Sequence, residues 1–247
     1  MSIGKNTRAD YGVDAPGVVL RFVIIAFVGM IFAVAAPFLI KERDLALRTA
    51  SMGRSAAIWC SVCATVMVWG SRVGKLRLRD RILDGLALRG DEQVLDVGCG
   101  RGLMLLGAAK KLTSGKASGI DLWQSRDQTG NAVATTRENA QIEGVEGRID
   151  LTTGDMRDLP FPAKHFDVVV SSWAIHNVYD KADRREALLE IARVLKPGGR
   201  VRIIEIRHTD EYVSALRDAG LVDVTRSRPS FLFIIPSRVV SARKQLA

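Results

Sequence analysis

The chain has 247 residues, 47% of them hydrophobic and 26% charged, and only three cysteines. That hydrophobic content excludes a disordered chain, and the cysteines lack the number and spacing of a disulfide-stapled scaffold or a zinc ribbon. The net charge of +9 suggests a nucleic-acid binder until it is located: residues 1–90 hold 13 Lys and Arg against 6 Asp and Glu, while residues 91–247 hold 23 against 21. The basic excess belongs to the first third, and the nearly neutral remainder argues against nucleic acid as its partner.

Residues 1–74 read as a membrane anchor with two transmembrane helices. Phe22–Ile40 is 19 residues without a charge, bracketed by Arg21 and Lys41; as a helix it is about 28 Å long, close to the hydrocarbon thickness. Ser55–Ser71 is a second uncharged run of 17, with Trp59 and Trp69 towards its ends, where amphipathic rings favour the interface. A cleaved signal peptide is the competing reading of the first run, since Lys5 and Arg8 precede it and Ala33-Val34-Ala35 resembles a cleavage site; a core or interfacial helix competes for the second. The length of the first run and of its 21-residue lead favours retained spans. Cys60 and Cys63 lie inside an apolar run and not at a βα turn, so they read as buried thiols. The segment Lys41–Arg54 carries four Lys and Arg, against seven at Lys5, Arg8, Arg72, Lys75, Arg77, Arg79 and Arg81. The positive-inside rule then places both termini, and the domain that follows, in the cytosol. The cluster Arg72–Arg81 suits anionic headgroups or an ordinary stop-transfer flank. Residues 75–90 read as an amphipathic linker helix, with Leu76, Ile82, Leu83, Leu86 and Leu88 among charges.

From Asp91 onward strands alternate with helices. The pattern predicts strand 93–97, helix 101–112, strand 117–121, helix 130–143, strands 148–153 and 166–171, helix 182–195, strand 200–206, helix 210–219, and strands 221–227 and 230–236. Pro197-Gly198-Gly199 is expected to stop a helix and turn the chain. Only Arg228-Pro229 separate the last two runs, too few for a crossover, so those strands must pair antiparallel.

The most informative stretch is Val94-Leu95-Asp96-Val97-Gly98-Cys99-Gly100-Arg101-Gly102, a strand leading into a glycine turn and a helix start. Glycines let the backbone approach a ligand, and the first helical N–H groups face it. The third glycine comes one residue too early for the dinucleotide fingerprint. Asp96, Gly98, Gly100 and Gly102 match, position by position, the first motif of class I S-adenosylmethionine (AdoMet) methyltransferases, Asp-x-Gly-x-Gly-x-Gly. Later segments follow in the order of that family: Gly119-Ile120-Asp121-Leu122-Trp123, Gly154-Asp155-Met156, Val168–Trp173 and Arg193–Arg200. The chain thus resembles the small-molecule branch that includes quinone-biosynthesis methyltransferases. The resemblance implies an α/β fold: a doubly wound, Rossmann-like, seven-stranded sheet, mostly parallel with an antiparallel last strand. It also implies AdoMet as cofactor and a cytosolic domain at 91–247.

The resemblance further implies a cofactor site of Asp96, Gly98, Cys99, Gly100, Gly102, Asp121, Leu122, Asp155, Met156 and Ser172. Asp96 would orient the turn or meet the methionine amino group, and Asp121 would accept the ribose hydroxyls. Asp155 would sit by the adenine amine, with Met156 on the ring. No metal is expected, because His165, His176 and His208 show no ligand spacing. Methyl transfer from a sulfonium is an in-line displacement that needs mainly positioning. His176, after the fourth strand, is the candidate proton acceptor for a phenol or enol, with His208 behind it; Trp173 would wall the pocket or pack the core. Only about four residues, Arg207–Asp210, separate the fifth strand from the next helix, so the acceptor lid of some relatives must be missing or come from elsewhere. The expected acceptor is small and lipophilic, with membrane lipids as further partners; its identity and the oligomeric state stay open. Competing readings are a nicotinamide oxidoreductase on the same fold and a non-catalytic, AdoMet-binding membrane scaffold.

Overall fold

The computed structural model describes residues 8–124 and 130–246. Lys5, counted above for orientation, lies outside them. Two compact units emerge: residues 13–75, and residues 1–12 together with 76–247.

The smaller unit is a pair of helices, α1 (Pro16–Leu39) and α2 (Arg43–Trp69), followed by a π-helical turn, Gly70–Gly74. Both helices are longer than the uncharged runs suggest. The supposed loop Lys41–Arg54 is mostly the first turns of α2. A seam of small residues joins the helices: Gly29 and Ala36 of α1 are buried, as are Ala46, Ala50, Gly53, Ala57, Cys60 and Ala64 of α2. A Cβ on Gly29 would stand 2.7 Å from the Gly53 carbonyl oxygen, so only glycine permits this approach. The outward faces are apolar, with Phe27, Phe38, Leu39, Ile58 and Trp59 all exposed. Both helices are long and apolar enough to cross a membrane. The ends of this unit meet, because Lys75 Nζ pairs with Asp14 at 2.9 Å and the Asp14 amide donates to Ser71 Oγ at 3.0 Å. Lys75 is therefore buried and paired, and Arg79 is buried against Asp80. The expected basic cluster is smaller at the surface than its sequence implies.

The larger unit begins with α3 (Lys75–Asp84), whose Leu78, Ile82 and Leu83 are buried, as is Leu86 just beyond it. It is not a free linker: these side chains form part of the domain core. Then follow β1 (Gln93–Val97), α4 (Leu103–Ala109), β2 (Lys116–Asp121), α5 (Val133–Ile142), β3 (Ile149–Thr153), β4 (Phe166–Ser172), α6 (Lys181–Val194), β5 (Leu195–Glu205), α7 (Thr209–Asp218), β6 (Leu221–Arg226) and β7 (Arg238–Lys244). The sheet order is β3-β2-β1-β4-β5-β7-β6. β1 to β5 are parallel, and β7 inserts antiparallel between β5 and β6.

Both faces of the sheet are covered. Leu95, Val97 and Val169 join the cluster under α6 and α7, whereas Val94, Val168 and Val170 join the one under α3 and α4. This is why the central strands are apolar at every position but Asp96 and the polar tips. Two expectations fail. Pro197-Gly198-Gly199 does not separate helix from strand: α6 ends at Val194 and β5 starts at Leu195, with a register shift opposite Phe166/Val168. The run 230–236 is not a strand but a loop closed by a single bridge, Ser230 to Ser237, and the last strand is Arg238–Lys244. Antiparallel pairing holds, several residues later than expected.

Candidate active site

Because β1 to β5 are adjacent and parallel, Val97, Asp121, Thr153, Ser172 and Glu205 all end on one edge of the sheet. The strand order reverses between β1 and β4, and ligands of open α/β sheets bind at such a point. The glycine turn is tied to β2, since the amides of Gly98 and Cys99 both donate to the Ile120 carbonyl, at 2.8 and 3.1 Å. Gly98 has φ +72°, and a Cβ there would collide with that of Ala174, while Met156 Cε lies 3.6 Å away. Turn, Met156 and the loop after β4 are thus in one place. Cys99 is buried against Gly119.

Asp96 performs the turn-orienting role and keeps one oxygen in reserve. Its Oδ2 accepts the Leu105 amide at 2.8 Å, in the first turn of α4, while Oδ1 is buried with no partner among the described residues. Burial pushes this carboxyl up to about 7, against the lowering effect of the Leu105 amide. Asp121 folds onto the turn: Oδ2 accepts the Gly100 amide at 2.8 Å, and Oδ1 accepts the Trp123 amide at 2.7 Å and Asn131 Nδ2 at 3.1 Å. A carboxylate only accepts, so Asn131 must face it with its amide nitrogen. The Asn131 Oδ1 is then a second buried oxygen without a partner among the described residues.

Other candidates are placed differently. Leu122 is exposed, and Ser172 is half-buried at the tip of β4; the serine reaching β1 is Ser171, whose hydroxyl donates to the Val97 carbonyl at 2.8 Å. Asp155 is held from both oxygens by Arg157, at 2.6 to 3.1 Å, and Arg157 also meets Asp183 at 2.5 Å. The Arg157 guanidinium keeps the Asp155 carboxyl below its ordinary range. Sequence reasoning missed three supports. Thr136 Oγ1 donates to the Gly100 carbonyl at 2.7 Å, and Asn139 Nδ2 donates to the Arg101 carbonyl at 3.0 Å; a polar pair three residues apart on the predicted helix 130–143 was their only signal. Asp10, ahead of α1, pairs with Arg101 of the turn at 2.8 Å.

After β4, His176 sits in a 3-10 turn, Ile175–Asn177. Its Nδ1 lies 2.7 Å from Oε2 of Glu205, and its amide donates to Oε1 at 3.1 Å. Arg184 of α6 clamps the same loop by donating to the carbonyls of Val178 and Tyr179, at 2.9 and 2.7 Å. Trp173 takes φ +50°, donates its indole N–H to Ser237 Oγ at 2.9 Å and stacks on Phe233 at 4.4 Å. Phe233 belongs to the loop between β6 and β7. This loop ends at Arg238, opposite Glu205 in register, and so lies on the ligand edge. The short β5–α7 connection is matched by an apolar β6–β7 loop. His208 is the left-handed N-cap of α7, 3.3 Å from Glu211, and His165 is exposed, edge-on to Phe166.

The unpartnered oxygens at the turn are both acceptors. They suit a ligand that brings donors there, such as the ammonium and ribose hydroxyls of AdoMet, and oppose the pyrophosphate of a dinucleotide, which brings acceptors and negative charge. With the seven-stranded sheet and its antiparallel β7, this defines the AdoMet-dependent methyltransferase class of fold. Comparison with known proteins agrees. Residues 95–203 match the family model described as a methyltransferase domain. A chloroplastic 2-phytyl-1,4-beta-naphthoquinone methyltransferase of Arabidopsis thaliana is 36% identical over 56% of this chain and 50% of its own. A demethylmenaquinone methyltransferase of Symbiobacterium thermophilum is 39% identical over 47% and 43%. A ubiquinone/menaquinone biosynthesis C-methyltransferase of a Ruegeria species is 33% identical over 67% and 62%. The chain thus spans 43% to 62% of the length of these relatives. Among solved structures, geranyl diphosphate methyltransferase in complex with AdoMet superposes with TM-score 0.55 at 16% identity, over 68% of this chain and 85% of that one. The cyclase SpnF superposes with TM-score 0.58 at 21% identity, over 70% and 82%. These two likenesses carry the fold alone. Residues 95–203 thus match a methyltransferase domain, and S-adenosylmethionine is the cofactor that goes with that match.

Proposed function

We propose that the protein transfers the methyl group of AdoMet to a small lipophilic acceptor of the quinol type, from a domain anchored to the membrane by α1 and α2. The observation that carries the reading is the pair of buried, unpartnered acceptor oxygens, Asp96 Oδ1 and Asn131 Oδ1, at the glycine turn. AdoMet supplies an already activated methyl, so the chain's work is to hold two molecules in contact. Asp96 takes the amino group, Asp121 and Asn131 take the ribose, and Gly98, Cys99, Gly100 and Gly102 line the cofactor, with Leu122, Met156 and Ser172 at its sides. Asp155, held from both oxygens by Arg157, sits by the adenine amine. Trp173 and Phe233 form a flat wall for an aromatic acceptor, and His176 takes the acceptor's hydroxyl proton.

The named activities of the naphthoquinone and menaquinone relatives support a quinol acceptor. The apolar outward faces of α1 and α2 support the anchor, since side chains such as Phe38 and Leu39 would otherwise stand in water. The meeting of Asp14 and Lys75 supports a hairpin with both ends on one side; the excess of Lys and Arg on that side favours the cytosol. Incubating the full chain with methyl-tritiated AdoMet and membrane extract tests the reading. Label should enter the organic-extractable quinol fraction. Label confined to protein or to water-soluble metabolites contradicts it.

A further inference from the structure

Glu205 is an unexplained charge. It follows Ile203-Ile204 at the tip of β5 and is fully buried, yet salt-bridges no Lys or Arg among the described residues. Its oxygens are instead spent on His176 and on the next backbone amide: Oε1 accepts the His176 amide at 3.1 Å, and Oε2 meets His176 Nδ1 at 2.7 Å and the Ile206 amide at 3.2 Å. Burying a carboxylate for a turn alone is costly when a neutral amide could cap it. The ring's other nitrogen, Nε2, has no hydrogen-bond partner among the described residues, and the side chain keeps 13% exposure at the ligand edge. The Tyr212 phenol of α7 feels the Glu205 charge, along with those of Arg184, Glu211 and Arg207. Burial and the Glu205 charge push the Tyr212 phenol up, so its buried hydroxyl stays neutral.

We propose that Glu205 is a positioning residue that holds the proton of His176 on Nδ1 and leaves Nε2 bare as the base facing the acceptor. This rests on the methyl-transfer reading above. In the step, the acceptor hydroxyl gives its proton to Nε2, and its electrons form the new bond to the methyl carbon. The S–C bond breaks with its pair left on sulfur, giving S-adenosylhomocysteine. No other reactant is needed.

The decisive readout does not depend on turnover. In the full chain labelled with 15N-histidine, with His176→Asn used to assign the resonances, His176 should carry its proton on Nδ1 and show a bare Nε2 at about pH 8, where a free imidazole is neutral. A proton on Nε2 overturns the proposal whatever the activity. With 1,4-naphthohydroquinone as probe acceptor, Glu205→Gln should lower kcat by about 10²-fold or more and leave the AdoMet Kd unchanged. In a His176→Asn background the same substitution should add no further loss of kcat. Losses that simply multiply mean that Glu205 only caps the turn. Failure of the full chain to bind AdoMet defeats the methyl-transfer reading instead, and the tautomer still decides what Glu205 does to His176.

Discussion

At the scale of single residues, the site depends on acceptors kept short of donors. Asp96 has the sharpest consequence. Its folded-state carboxyl titrates at about 7, above the ordinary 3.8, because it is buried. A raised carboxyl favours its neutral form, so the contribution of Asp96 to folding is fully present below pH ~4 and is lost as the pH rises through about 7. The ammonium of AdoMet reverses the preference. Affinity should therefore rise with pH up to about 7, and binding below that should release a proton, read by calorimetry in buffers of different ionisation enthalpy. Asp96→Asn should abolish both effects and weaken AdoMet at least ~10-fold, as loss of a charge-assisted hydrogen bond does. It should also be more stable than wild type above neutral pH; pH-independent binding by the wild type would contradict this. Asp96, Asp121 and the glycines were legible because strand, turn and acid recur at fixed spacing. Glu205 and Asn131 were not, because one acid ending a strand that also carries Lys196, Arg200 and Arg202, or one amide after a glycine, resembles many surface residues until the fold buries it.

At the scale of elements, the β6–β7 loop carries the main lesson and a prediction. Phe231–Ile235 has the hydropathy of a buried strand, and an apolar wall reads the same as a strand in one dimension. The true β7, Arg238–Lys244, mixes Arg, Ser and Lys with Val and Ala, a pattern that advertises no burial. Phe233→Ala should raise KM for a naphthohydroquinone several-fold and leave the AdoMet Kd unchanged, because it removes the partner of Trp173 alone. An unchanged KM would take the loop out of the acceptor site. In the helical pair, Gly53→Leu places a Cβ 2.5 Å from the Gly29 carbonyl oxygen. Overpacking of this kind costs about 1–3 kcal/mol, so the detergent-solubilised chain should melt several degrees lower, whereas Ile58→Leu on the exposed face should not change the melt. Helix ends were the least legible: α4 stops at Ala109, and its short length leaves Asp96 to pin its first turn.

At the scale of the whole molecule, charge and apolarity are partitioned by unit. The helical pair exposes apolar faces, while the larger unit buries the apolar residues of its sheet. Residues 8–12 precede α1 yet fold with the larger unit, with Asp10 on Arg101 and Tyr11 donating to Glu143 at 3.1 Å. No composition signal marks them, since a five-residue contact across such a separation leaves no periodicity. If α1 and α2 cross a bilayer, protease added to sealed, right-side-out vesicles should spare the larger unit, and added to inverted vesicles should digest it. The central claim is that the carboxyl edge of β1 and β2 binds AdoMet through acceptor groups. Titrating the full chain with AdoMet, and separately with NADH, by calorimetry tests it most directly. The account predicts saturable one-to-one binding of AdoMet, weakened at least ~10-fold by Asp121→Ala, and no heat with NADH. Binding of NADH without AdoMet, or AdoMet affinity indifferent to Asp121→Ala, would contradict it.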